Sequence, residues 1–218
     1  MLVLPYSVYE IQGKNALTFL QGQITNDVLN IEDGANIPAL LCNAQGRILL
    51  MLRVIKQSNT AFVILRQDLQ DIFETSLSKV ATLSRVKLVL RDDLRVAYQS
   101  DFMILEQMPA YTQSVQQWQL DRIKNLQFDI YPSSSGLFLP QDLNLEKDWV
   151  SFSKGCYRGQ EIIARMHYLG KSKYHLLYTQ ANDQCLKPGD KIDANTHVVD
   201  CVREDDIVHL LLCVKKTS

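Results

Sequence analysis

The chain has 218 residues, 46% hydrophobic and 22% charged, enough apolar mass for a sizeable core. Disordered, collagen-like and small disulfide-framework classes are excluded. Lys and Arg number 23 against 24 Asp and Glu, so a net charge of −1 gives no global field that would recruit nucleic acid or an anionic membrane. Direct RNA binding and a membrane partner are not expected. Cys42, Cys156, Cys185, Cys201 and Cys213 are scattered, with no C-x-x-C pair, and the four histidines show no ligand spacing. Reduced thiols in a cytoplasmic setting are expected, rather than disulfides or a metal site. The first residues show no basic segment ahead of an apolar run, so neither export nor membrane insertion is expected.

In chain order, Ser7–Ile11 alternates as a short strand, and Asn15 is placed to cap a helix beginning at Ala16. Residues 37–43 and 48–56 read as a hairpin around Ala44–Arg47, with 61–66 as its third strand. Asp68 is then placed to cap a helix whose Leu69, Ile72, Phe73, Leu77 and Val80 share a face, and strand composition returns at 86–90 and 94–98. Helices on an antiparallel sheet predict an α+β domain. A Gln-rich helix over about 114–126 places Arg122 within an apolar arc, four residues after Trp118. Beyond Gly170, residues 174–181, 196–203 and 207–214 are β-rich and separated by turn signals. The predicted division is an α+β domain at 1–170 and a short β domain at 171–218.

The segment Lys154-Gly-Cys-Tyr-Arg-Gly-Gln-Glu161 is the most unusual. Gly155 and Gly159 permit turns or close approaches, and Gln160-Glu161 opens a helix. Cys156 then lies just ahead of a helix amino terminus, with Lys154 and Arg158 two residues to either side. Cations and oriented N–H groups favour thiolate over thiol, so a reactive or metal-ligating sulfur is one reading and a small buried hydrophobe the other. The remaining cysteines lie in apolar, strand-like surroundings and read as structural. A cysteine–histidine hydrolase pairing Cys156 with His167 ranks last, because both lie along one helix-and-loop segment.

The segment resembles the K-G-C-[FY]-x-G-Q-E signature of the YgfZ family, folate-binding-like proteins related to the T-protein (aminomethyltransferase) of the glycine cleavage system. Three further pieces agree in order: Phe19–Asp27, Cys42-Asn-Ala-Gln-Gly-Arg47 and Phe138-Leu-Pro-Gln141. The resemblance implies a T-protein-like fold, in which an α+β body surrounds a folate channel and a β-barrel closes the carboxyl end. It also implies an accessory role in iron–sulfur cluster assembly or repair, serving tRNA-modifying enzymes among others. Iron–sulfur proteins or cluster-assembly factors would be transient partners.

On this reading Cys156 is the key thiol. Trp118, Arg122, Lys154, Gly155, Tyr157, Arg158, Gly159, Gln160 and Glu161 are the residues expected to hold a tetrahydrofolate or related folate. Two departures stand out. The chain is shorter than family members commonly are, which points to a truncated barrel. The T-protein stretch R-[LI]-E-x-G corresponds to Arg122-Ile-Lys-Asn-Leu126, so Lys124 stands where a pterin-holding glutamate would be and Leu126 where a glycine would be. An ammonium cannot accept a hydrogen bond from the pterin edge, so the alternative of a folate-dependent aminomethyl transferase ranks second.

Overall fold

The alternating apolar pattern of the first ninety residues becomes one antiparallel sheet. The computed structural model describes residues 2–99, 101–106, 114–182 and 185–216. β1 (Leu2–Leu4) and β2 (Tyr6–Gln12) lead into α1 (Ala16–Gln23). β3 (Asn36–Cys42), β4 (Ile48–Gln57) and β5 (Thr60–Arg66) form the meander. A 3-10 turn at Gln67–Leu69 opens α2 (Gln70–Leu83), and β6 (Lys87–Leu90) follows. The strands are ordered β3-β4-β5-β2-β6.

Both faces of this sheet are covered. Leu50, Leu52 and Val54 of β4 pack with Phe19, Leu20, Phe73 and Leu77 of α1 and α2, while Met51 joins a second core on the other side. Successive strand residues point to opposite faces, so a strand with both sides covered reads as nearly continuous apolar sequence, as Ile48–Leu52 does. Each fully buried Leu contributes roughly 1.5–3 kcal/mol.

The two expected helix caps are not formed as such. The Asn15 side chain donates to the Ser84 carbonyl at 3.2 Å, and Asp68 accepts a two-pronged pair from Arg66 within the 3-10 turn. The strand at 94–98, β7 (Arg95–Tyr98), belongs to a separate sheet of order β1-β7-β8, where β8 is Phe102–Leu105. The sequence reading left out β1 and β8, each too short to show a period.

The Gln-rich helix is α3 (Val115–Lys124), which buries Leu120 and Ile123. A 3-10 turn at Pro140–Leu143, α4 (Glu146–Trp149) and α5 (Gln160–Leu169) lead to β9 (Tyr174–Asn182), β10 (Lys191–Asp193), β11 (Thr196–Glu204) and β12 (Ile207–Lys215). These last four make an antiparallel sheet of order β10-β11-β12-β9 that, among the described residues, stays open. Val199, Val202, Leu211 and Cys213 of this sheet share a core with Leu40, Met51, Ile123 and Phe138. The carboxyl-terminal strands are therefore packed into the body of the protein.

Candidate functional site

A cavity of about 400 Å³ opens between α3, β4 and the small sheet. Trp118 lies against Tyr98 and Phe102, with ring centroids 5.6 and 6.4 Å away, and all three line the cavity. The Arg122 guanidinium sits 4.5 Å from the Trp118 ring, as the i, i+4 spacing requires. Two donors at the wall, Trp118 Nε1 and Arg53 Nε, are buried without a hydrogen-bond partner. A buried donor left unpaired costs about 1–3 kcal/mol, so these are the positions at which a ligand acceptor gains most.

Beneath the rings lies a polar cluster. Arg122 donates to Asp129 at 2.7 Å and to the Phe128 carbonyl at 2.6 Å, and the Tyr6 hydroxyl donates to Asp129 at 2.6 Å. Burial pushes the Asp129 carboxyl up, but Arg122 and the Tyr6 hydrogen bond outweigh it and hold the group below its ordinary range. Asp200 of β11 accepts from the Asp129 amide at 3.2 Å and from the Tyr131 hydroxyl at 2.7 Å. Burial and the nearby Asp129 charge raise its pKa to about 7. One carboxylate is thus kept ionised and its neighbour is poised to carry a proton.

The four motif pieces meet elsewhere, in a single knot. The Lys154 ammonium donates to the carbonyls of Gln21, Ile24 and Asn26 at 2.7, 2.7 and 2.8 Å, satisfying the carboxyl end of α1. Burial lowers its pKa to about 8, which leaves it charged at neutral pH. Arg158 reaches the Ser76 carbonyl through its side chain and the Gly22 carbonyl through its backbone N–H. At φ +82°, Gly159 packs on the Asn43–Gly46 turn so closely that a Cβ would lie 2.5 Å from the Asn43 oxygen. Gln141 donates to the Ile163 carbonyl at 3.0 Å and so ties the fourth piece to α5. Tyr157 is buried in the second core.

Cys156 is exposed, as are its neighbours Gly155 and Glu161, and α5 begins four residues later. The expected electrostatic bracket is not what the flanking cations build: Lys154 is committed to α1, and Arg158 points toward α2. Trp118 and Arg122 line the cavity together, whereas Cys156 and the rest of its motif are not among the lining residues. Lys124 is exposed and outside the cavity lining, while Leu126 borders the cavity at φ +57°, the left-handed conformation natural to a glycine. The other thiols differ in placement. Cys42 and Cys213 are buried, and burial raises both pKa values, that of Cys213 to about 12. Cys185 is exposed, contrary to the structural reading of its sequence context.

Asp129, Tyr98, Phe102 and Arg53 were missed by the sequence reading. Asp129 carried a signal, a lone acid within Phe128-Asp-Ile130 in an otherwise apolar run. The aromatic residues carried none, because they come from short strands that meet only in three dimensions.

The α+β body and carboxyl-terminal antiparallel sheet have the fold of the glycine cleavage T-protein. A glycine cleavage system aminomethyltransferase T from Bartonella henselae superposes with a TM-score of 0.66 over 98% of this chain and 77% of that one, at 11% sequence identity. No family model matches the chain. An uncharacterized protein of Haemophilus influenzae is 29% identical over 77% of the chain and 68% of its own length. The tRNA-modifying protein YgfZ of Klebsiella pneumoniae is 28% identical over 92% of the chain and 80% of its own length. Further YgfZ proteins, including that of Colwellia psychrerythraea at 24% identity, match across most of the chain. Over most of its length the chain is similar to YgfZ proteins. No helix among the described residues is long and apolar enough to cross a membrane.

Proposed function

We propose that this protein is an accessory factor for tRNA modification that takes a folate in the Trp118 cavity and works through the Cys156 thiol in iron–sulfur cluster assembly or repair. The observation that carries the reading is the division of labour within the motif. Lys154, Tyr157 and Gly159 hold the fold together, and Cys156 is presented to solvent on the loop they anchor. A thiolate is a natural ligand for iron and sulfide, but a cluster needs about four ligands. Cys156 supplies one, and the partner supplies the others, so the contact is transient. The exposed thiol suits a reducing, cytoplasmic compartment.

The cavity fits a folate in two respects. Its aromatic walls suit a flat pterin, and the unpartnered Trp118 Nε1 and Arg53 Nε suit a ligand that brings acceptors. Asp129 is the acid at the cavity wall, in the role that Lys124 cannot fill. Because Asp129 is already bound by Arg122 and Tyr6, it supports holding a ligand better than transferring a carbon unit.

The test is complementation of cells lacking this protein, reading modified tRNA nucleosides by mass spectrometry alongside the activity of an iron–sulfur enzyme. Cys156→Ala is expected to lose both with its thermal stability intact. Full restoration by that variant removes the thiol from the mechanism. Titration of tetrahydrofolate against the purified protein, followed by tryptophan fluorescence, tests the cavity, and an absence of saturation at millimolar ligand removes folate.

A further inference from the structure

A second cavity, of about 550 Å³, is bordered by the Arg47 turn, residues 136–139, the end of α5 and the inner faces of β9, β11 and β12. Three cations line it, Arg47, Lys171 and Lys173, against the single acid Asp142. Among the described residues none of the three is in an ion pair. Arg47 donates through Nη1 to the Leu137 carbonyl, which steadies the guanidinium and leaves its other donors available. Lys171 and Lys173 are exposed at the rim. Asp142 accepts from the Leu139 amide and the Ser172 hydroxyl, each at 3.1 Å; burial raises its pKa and the Arg47 charge opposes that rise, so three cations face one acid.

The wall is not merely basic. His197 borders the cavity and packs edge-on against Phe138, with centroids 6.1 Å apart at 89°, and its Nδ1 is buried without a partner. Tyr174 and Met166 complete the apolar lining. The arrangement therefore offers cations for an anion, ring and thioether surface for something flat, and one imidazole nitrogen in want of a polar partner. An acidic peptide would meet the cations and leave the rings and His197 unmatched.

We propose that this cavity binds a phosphorylated nucleotide, free or as one unit of an RNA strand, with its phosphate on Arg47, Lys171 and Lys173 and its base against His197, Phe138 and Tyr174. The site is separate from the Trp118 cavity and does not depend on folate or on Cys156. It places an anion site on a protein whose net charge of −1 conceals it.

The experiment is calorimetric titration of the full chain with adenosine monophosphate, inorganic phosphate and a short single-stranded oligoadenylate. Saturable binding of the mononucleotide is expected. It should weaken by about tenfold or more in Lys171→Gln/Lys173→Gln, as follows when two charge-assisted contacts are lost. His197→Phe is expected to narrow the preference for the nucleotide over phosphate, and unchanged melting in both variants excludes misfolding as the cause. If the oligonucleotide binds more tightly than the mononucleotide, with a steep salt dependence, RNA is the source; equal affinity assigns the site to a free nucleotide. The proposal is overturned if the mononucleotide fails to saturate at about 10 mM. It is equally overturned if phosphate binds as well as the nucleotide, or if the double lysine variant binds like the parent.

Discussion

The cavity beside Trp118 ties its arginines to aspartates, Arg53 to Asp101 and Arg122 to Asp129, whereas the one beside His197 leaves Arg47, Lys171 and Lys173 outside any ion pair among the described residues. For Arg122 and Asp129 the difference follows from depth, whereas Asp101 is half exposed and pairs with Arg53 at the cavity's edge. A charge taken out of water must be matched within the fold, so a deep site neutralises itself and then selects by ring surface and hydrogen-bond direction. Rim charges stay hydrated and need no partner, so they remain free to select an anion. Two cavities in one small protein therefore ask for different ligands.

Removing the acid from the self-neutralised cavity should have the largest effect on stability. Asp129→Ala strands Arg122 and deprives Arg66, 3.9 Å from Asp129, of a second counter-charge. A loss of about 3–5 kcal/mol is expected in urea unfolding, and a loss below about 1 kcal/mol would show that the pairing is not what holds this region. Arg122→Met/Asp129→Leu removes both charges and should cost less than Asp129→Ala alone. The same logic holds at the motif knot. Lys154→Met leaves three carbonyls without their donor and should cost about 2–3 kcal/mol. Cys156→Ala, at an exposed position two residues away, should change stability by less than about 0.5 kcal/mol.

That contrast also explains how much was legible beforehand. The helix at 70 was readable because its buried face repeats at the helical period, the meander and the last strands because apolar, β-rich runs are bounded by turn signals, and the helix at 160 because Gln160-Glu161 follows Gly159. The motif was readable because Gly159 and Lys154 do jobs that few residue types can do. The direction of those jobs was not readable: Lys154 and Arg158 looked like cations for Cys156, and only the tertiary contacts show that they serve α1 and α2. The ring wall of the first cavity depends on Phe102, in a four-residue strand, meeting Trp118 across a gap in sequence. Nothing periodic announces such a contact. Leu126 is an instructive departure, since a leucine there takes the left-handed backbone that favours glycine.

An effect of similar size is a pH dependence. Asp200 titrates near 7 when folded, against an ordinary value of 3.8, so between those limits the folded state holds a proton that the unfolded chain has released. Its contribution to stability is present below about pH 4 and is lost as the pH rises through about 7. Asp129 runs the opposite way, its contribution being lost as the pH falls through its depressed folded pKa. Unfolding free energy should therefore decline by about 3 kcal/mol between pH 5 and pH 8, two pKa units at 1.36 kcal/mol each. A flat profile across that range would place Asp200 among ordinary ionised carboxylates.

At the open cavity the same operation should leave the fold untouched. Lys171→Gln/Lys173→Gln removes two exposed cations that, among the described residues, have no ion-pair partner, so no buried countercharge is stranded and no packed surface is lost. The expected change in urea unfolding is below about 0.5 kcal/mol, and removing like charges beside Arg47 can even make it slightly favourable. A loss above about 1 kcal/mol would mean that the lysines hold the Pro140–Leu143 turn or β9 in place, making them parts of the scaffold. Stability unchanged and nucleotide affinity reduced in the same variant would separate the two cavities cleanly. The charges of one would then belong to folding and those of the other to recognition.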